Sequence, residues 1–421
     1  MMTTRFMLIA SSALFAVGLL ASPARADDAP AAPAAWSDAI HLGVQIEGGV
    51  TFAPDAPKTN YGQLFTDHPN QATLNQVLLT FSRDIPKDAS TWDIGFHFSG
   101  LYGSDARYTH FIGLLDHALP DQRYQFDIVE ASVSVHAPVL NGLDTKIGAY
   151  PTPLGFETID PSTNPFYSHS YIFNFGIPLK HTGVLAILHT TDFLDIYGGV
   201  DTGVNTTLGS GDNNGTVSGL AGLGLTLLGG NLTVTALTHF GPEMPSLTSG
   251  QPWGFTNANH YNRYLNDAYA TYKWNDKLTT TTELNYAKEE NPWVGAPEAW
   301  GIAQYVAYTL SDTLTLNGRA EFFRDGKGFF VGAFPGNLDY LNLEAGRPNT
   351  SIGGFHTSYF EATVGATWKP ELPKPISGLM IRPELRYDAD VAGPNTFGNN
   401  GRNTKFNSSA VTIASDFVLT F

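Results

Sequence analysis

Along most of this chain apolar and polar residues alternate one by one, a period of two that predicts extended strands whose faces meet different surroundings. The last segment is a clear case. Phe421, Leu419, Phe417, Ile413 and Val411 share one face, broken only by Ser415, while Thr420, Val418, Asp416, Ala414 and Thr412 share the other. Trp92, Ile94, Phe96 and Phe98 alternate in the same way with Asp93, Gly95, His97 and Ser99. Ile40, Leu42, Val44 and Ile46 oppose His41, Gln45 and Glu47, and Val77, Leu79 and Phe81 form a further apolar face. Val129, Ala131, Val133 and Val135 oppose Glu130, Ser132, Ser134 and His136. Phe126 and Ile128 are out of phase with that set, which predicts a bulge or interior packing.

The pattern predicts sixteen strands, near 39–50, 72–83, 92–99, 123–136, 143–150, 181–189, 193–204, 216–228, 231–239, 262–274, 277–287, 298–310, 313–324, 355–368, 378–388 and 406–421. Short connections, such as Asn141-Gly142, Gly229-Gly230, Asn275-Asp276 and Ser311-Asp312, alternate with long ones. An even strand number with alternating loop lengths points to an all-β fold, an antiparallel barrel that crosses a membrane. Its apolar positions would face lipid and its polar positions a lumen. The short turns and both termini would lie on the periplasmic side. Trp92, Trp274, Trp300 and Trp368, with Tyr272 and Tyr308, stand at strand ends where aromatic girdles form. Pro383 falls in the middle of the fifteenth strand, where it removes a ladder donor.

Composition agrees. Charged residues are 15%, against about 25% in soluble domains. The formal net charge of −16 argues against a nucleic-acid partner. Residues 1–26 read as a secretory signal peptide: a basic head, an apolar run from Phe6 to Ala21, and Ala24-Arg25-Ala26 before the cut. Residues 27–38 read as an Ala/Pro-rich spacer, which leaves 39–421 for the barrel. There is no cysteine, so the exported fold needs no disulfide frame. Nucleotide-binding and hydrolase motifs are absent, and no metal or cofactor is expected. The 12 histidines show no ligand spacing, and Asp212-Asn213-Asn214-Gly215 reads as a plain turn rather than a calcium loop.

The stretch 151–183 interrupts the rhythm. Prolines 151, 153, 161, 165 and 178 forbid a regular ladder, and Phe156, Phe166, Tyr167, Tyr171, Ile172, Phe173 and Phe175 are too apolar to hang in water. A loop of this kind must pack, and the barrel lumen is the available place; the alternative is packing on neighbouring loops or a sister subunit. Residues 151–180 are therefore the expected constriction, with Glu157 and Asp160 its acidic contribution to the pore.

Gly148, Tyr150, Gly155, Glu157, Asn164, Tyr167-Ser168-His169-Ser170-Tyr171, Pro178 and His181-Thr182-Gly183 together resemble the central signature of the β-barrel porins of the OmpL-like type, with His169 standing where a basic Arg is common. The closing Phe421 resembles the assembly signal of Gram-negative outer-membrane barrels. The resemblance implies an outer-membrane channel for small solutes, with outer-membrane lipid and small polar solutes or ions as partners. The missing catalytic motifs argue against an enzyme, and a homotrimer is one assembly open to it, since classical relatives form trimers.

Period-two phasing also assigns inward charges. Arg319, Glu321, Glu361, Arg382, Glu384, Arg386 and Asp388 share one wall, and Lys146 lies across from them. Elsewhere the inward set is mostly acidic: Glu47, Asp93, Glu130, Asp195, Asp201, Asp267 and Glu283, against Lys273. With Glu157 and Asp160 on the loop, a solute would cross a transverse field, and the acidic excess predicts weak cation preference. The alternative is that the charges pair, Arg319 with Glu361 and Arg382 with Glu361, and only brace the wall. A substrate-specific transporter and a barrel enzyme are the competing functional readings.

Overall fold

The alternation is realised strand by strand in a computed structural model of the protein. It describes residues 36–54, 60–86, 89–112, 123–246, 255–291, 295–331, 356–393, 395–397 and 407–421. The predicted leader and residues 27–35 of the spacer lie outside these, as do parts of several long connections. The strands are β1 (Ile40–Phe52), β2 (Ala72–Arg83), β3 (Asp93–Gly103), β4 (Gln125–Ala137), β5 (Leu143–Pro151), β6 (Lys180–Thr191), β7 (Leu194–Asp201) and β8 (Ser218–Leu227). They continue as β9 (Leu232–Pro242), β10 (Asn262–Lys273), β11 (Leu278–Glu289), β12 (Glu298–Ser311), β13 (Leu314–Asp325), β14 (Thr357–Trp368), β15 (Gly378–Asp390) and β16 (Ser409–Thr420).

Each strand pairs antiparallel with its neighbours in sequence, and β16 returns to β1 to close the barrel. The closing register runs from Gln45 opposite Thr420 to Phe52 opposite Ile413. Beyond it the Phe421 amide still donates to the Val44 carbonyl at 3.0 Å. Closure leaves no strand edge unpaired, which is the condition for a sheet to sit in hydrocarbon.

The faces follow the predicted phase. Val411, Ile413, Phe417 and Phe421 are exposed, whereas Ala410, Thr412, Ala414, Asp416 and Val418 are buried. Two exposed aromatic sets mark the barrel ends. Trp92, Trp274, Tyr308 and Trp368 stand at the short turns, and Tyr102, Phe126, Phe240 and Trp300 toward the long connections.

Besides irregularities at the β6–β7 and β12–β13 turns, two bulges within the strands correct the simple alternation. Between β1 and β2 the register passes from Glu47–Gln76 to Gly48–Leu74, so Asn75 is extra, and both Asn75 and Gln76 are buried inside. Between β3 and β4 it passes from Ser99–Glu130 to Gly100–Ile128, leaving Val129 over. Val129, expected to face lipid, is instead buried, because the bulge inverts the phase and turns Phe126 outward. Pro383 is exposed on the outer face, and the β14–β15 ladder has no pairing between Glu384–Gly365 and Ile381–Trp368. That break lies where the missing donor would have served.

β5 ends early, at Pro151, and the chain turns inward. Above that point β4 and β6 meet through Lys180. Its ammonium donates to both Asp127 oxygens (2.6 and 2.7 Å) and to the Ile128 carbonyl (2.7 Å), and lies 3.9 Å from the centre of the Phe111 ring. Both charged side chains are fully buried. Lys180→Met should therefore lower stability by about 3–5 kcal/mol, since it leaves Asp127 buried and unpaired. The measurement is the midpoint of heat-modifiable mobility in detergent, and adding Asp127→Leu should recover most of the loss.

Candidate functional site

The segment between β5 and β6 lies inside the barrel. Tyr171 and Ile172 are fully buried, and Phe166, Tyr167, Phe173 and Phe175 nearly so. Local chemistry shapes the path. Gly155 takes φ +89°, a left-handed value that favours glycine. The Asp160 carboxylate accepts the Ser162 amide at 2.9 Å and starts the turn Pro161–Thr163. Ile172–Gly176 forms one π-helical turn.

The aromatics of the segment pack on inward rings of the wall. Tyr171 stacks on Tyr359 at 4.9 Å and Phe156 meets Tyr305 at 4.6 Å, while within the segment His169 stacks on Phe173 at 4.0 Å. Each buried large side chain contributes roughly 1.5–3 kcal/mol of transfer free energy. That is why this apolar segment occupies the lumen and not the solvent.

A segment without a ladder must still satisfy its backbone, and the inward charges do this. Glu384 accepts the amides of Tyr167 (2.9 Å) and Ser168 (3.2 Å), and Glu321 those of Tyr171 (2.6 Å) and Ile172 (2.8 Å). Glu283 accepts the Phe156 amide at 2.8 Å. The arginines serve the carbonyls. Arg382 donates to those of Pro161 (2.7 Å) and Asn164 (2.8 Å), Arg319 to that of Ser168 (2.8 Å), and Arg386 to that of His169 (2.5 Å).

The same guanidiniums are neutralised on the spot. Arg319 bridges Glu361 (2.6 Å) and Glu157 (2.7 Å). Arg386 grips Asp388 with two bonds of 2.9 and 2.7 Å. Arg382 pairs with Asp416 and reaches Glu47 at 3.2 Å. Arg319, Arg382 and Arg386 are at most 2% exposed, buried between the loop and the wall.

The expected arrangement is thus corrected in two respects. Glu157 does not stand across a gap from the arginines; it is bonded to Arg319, because the loop lies against that wall and not opposite it. Arg382 pairs with Asp416 and Glu47, not Glu361, since β16 and β1 lie on its near side; the Arg319–Glu361 pair is present as expected. Asp160 is half-buried and accepts from Gln45 at 2.9 Å. Lys146, on the opposite wall, is 36% exposed and bonded to Glu130 at 2.7 Å.

The lumen is consequently two-sided. On β11 to β16 and β1 the inward side chains are largely buried beneath the loop. The half-exposed inward groups, among them His97, Lys146, Asp195, Tyr197 and Tyr269, lie on β3 to β10. Sequence reasoning missed the neutral anchors Asn75, Gln76, Asn285 and Asn317, which bond to Tyr167 and to the carbonyls of Ile159, Gly176 and Pro165. For Gln76, Asn285 and Asn317 the signal was an amide at an inward position, which pattern reading treats as merely polar; Asn75 faces inward only because of the bulge. The barrel also brings His181, Asp201 and His239 together, three residues whose sequence spacing gave no such sign.

Burial favours a neutral Glu157, yet the Arg319 charge and the bonds from His169 and the Ser170 amide outweigh it and hold the carboxyl at about 2. A depressed carboxyl stabilises the clamp above its ordinary range near 4.5 and loses that contribution as pH falls toward 2. The contribution at neutral pH is about 3 kcal/mol. Glu157→Gln should lower stability at pH 7 and flatten its pH dependence between about 4.5 and 2. Melting of the folded barrel across that range measures both.

Among solved structures the fold is similar to the anion-selective porin from Comamonas acidovorans (9% identity, TM-score 0.54, 91% of this chain and 99% of that one). It is similar also to the outer-membrane channel DcaP of Acinetobacter baumannii (12%, 0.51, 91% and 97%). A third likeness is to the trimer form of in-vitro folded OmpT, an outer-membrane protein of Vibrio cholerae (11%, 0.50, 91% and 99%). No curated protein matches the chain. A family model described as "Putative beta-barrel porin-2, OmpL-like" matches residues 39–421. With its closed sixteen-strand barrel and its lumen narrowed by an inserted loop, the chain belongs to this family of porins.

Proposed function

We propose that this outer-membrane porin passes small polar solutes and ions through the part of the lumen between the inserted loop and the β3–β10 wall, with weak cation preference. The observation that carries the preference is which charges remain partly exposed there. Arg319, Arg382 and Arg386 are buried and paired, whereas Asp144 and Asp195 are 39% and 33% exposed and Asp160 is half-buried. Of the cationic groups on this wall, Lys146 is offset by Glu130, His189 lies between Asp144 and Asp195, and Lys273 is exposed at the short turn after β10. An acidic lining in a narrow aqueous path raises the local cation concentration. Selectivity in this fold is set by inward side chains, so the anion selectivity named for the Comamonas porin does not carry over at 9% identity.

The reading extends to export and assembly. Residues 1–26 serve as a leader removed on export, and the mature chain folds as a channel and not an enzyme. It assembles as a homotrimer, as the trimer form of Vibrio OmpT does; light scattering of the detergent-solubilised protein would give a three-chain mass.

Bilayer recordings in a KCl gradient test the conduction reading. Stepwise openings are expected, with a reversal potential of the sign for cations. Asp195→Asn with Asp144→Asn should move that potential toward zero at nearly unchanged conductance. Arg386→Gln should do the opposite: loosen the loop and raise conductance fluctuations, with little change in reversal. A silent membrane holding folded, inserted protein would overturn open conduction and favour a gated, substrate-specific transporter.

A further inference from the structure

The loop clamp does not account for one cluster on the inner wall. His181 on β6, Asp201 on β7 and His239 on β9 are fully buried, and each offers a ligand atom within 4.8 Å of the others. Their register explains the meeting. Gly183 lies opposite Asp201, Asp201 opposite Ser218, and Leu220 opposite His239, so the three side chains form a diagonal across four strands. A Cβ at position 183 would fall 2.6 Å from the Asp201 Cα and 2.1 Å from the Val200 carbonyl, so glycine leaves the room in which the carboxylate sits.

Hydrogen bonding inside the cluster is incomplete. His239 Nε2 lies 3.0 Å from Asp201 Oδ1. His181 Nδ1 faces Asp201 Oδ2 at 3.2 Å, but the two are not aligned for a hydrogen bond, and neither atom has another partner. Buried polar atoms without partners are costly. The other nitrogen of His181 is engaged: Nε2 lies 3.0 Å from the Thr152 hydroxyl, at the root of the inserted loop. A metal-binding imidazole is typically held in this way, with one nitrogen fixed by an outer partner and the other turned to the ion.

We infer that His181, Asp201 and His239 form a binding site for a divalent transition-metal ion of the zinc type. Two imidazoles and a carboxylate suit such an ion; calcium and magnesium prefer all-oxygen sets, and no thiolate is present to favour softer metals. Charge agrees. Glu243 lies behind the cluster, where it accepts the Ser218 hydroxyl at 2.9 Å and the Val204 amide at 2.8 Å. A bound dication would favour the ionised form of Glu243, whose carboxyl is pushed up to about 7 by burial. Three protein ligands leave a fourth position for water or a lumenal group. Because His181 also holds Thr152, the ion ties the loop root to three strands. The inference stands on these residues and is independent of which solutes the channel passes.

Cobalt(II) is the probe, added to folded, EDTA-treated protein in detergent and followed through its visible d–d absorption. One equivalent should bind, and zinc should displace it. Asp201→Asn and His239→Gln should each abolish the band while keeping heat-modifiable mobility, and His260→Gln, an exposed histidine elsewhere, should keep the band. No band in the wild type, or a band that survives both substitutions, would overturn the site. Should either variant fail to fold, the wild-type melting midpoint decides. A rise with one equivalent of zinc that EDTA reverses supports the site, and an unchanged midpoint overturns it. A purely hydrogen-bonded His–Asp–His cluster gives neither the band nor the shift.

Discussion

The interior of this barrel depends on the ionic clamp between the inserted loop and the wall formed by β13 to β16 and β1. A polypeptide without regular ladder bonds, packed against the barrel wall, carries amides and carbonyls buried away from solvent. Glu321 and Glu384 take the amides, and Arg319, Arg382 and Arg386 take the carbonyls. Lysine could not replace these arginines with the same effect. Arg319 alone serves two carboxylates and a carbonyl at once, which requires a planar group with several fixed donors. Each guanidinium is held to a carboxylate, because an unpaired charge at that depth would cost several kcal/mol.

The clamp has two structural consequences. The first is that β5 must be short, since its continuation is the loop itself. The wall above it is completed by Lys180 and Asp127, and the bulge at Val129 adjusts the phase of β4 beside them. The second is that the lumen loses its symmetry. The wall richest in arginine is covered, with each guanidinium paired to a carboxylate, while the β3–β10 wall keeps its polar side chains partly open. A charge counted as inward from the sequence is therefore not the same as a charge felt by a solute.

Similar barrels in other outer membranes share only 9–12% of their residues with this chain over 91% of its length. Such divergence is physically reasonable. Alternation, closure and turn chemistry are enough for a strand to find its place, and many residues satisfy them. What a lumen does is decided by the few inward groups left free after the loop has taken its partners.

Alternation alone was enough to read the barrel. A run such as Trp92 to Ser99 can satisfy lipid on one side and polar contacts on the other only as a strand, and sixteen such runs with alternating turns leave closure as the way to hide the edges. The insertion of 151–180 was legible too, because prolines exclude a ladder and aromatics exclude water. The partners were not legible. Strand phase says that Arg382 points inward, but which neighbour carries its carboxylate depends on register, and register placed Asp416 and Glu47 there and not Glu361. The bulge at Asn75 was hidden for a related reason, since an extra residue shows only against the strand opposite, whereas the one at Val129 showed in the phase break at Phe126 and Ile128. His181, Asp201 and His239 are far apart along the chain, and only the diagonal of three registers joins them. Sequence fixes what is periodic and local; tertiary structure decides every contact that depends on how one strand is set against another.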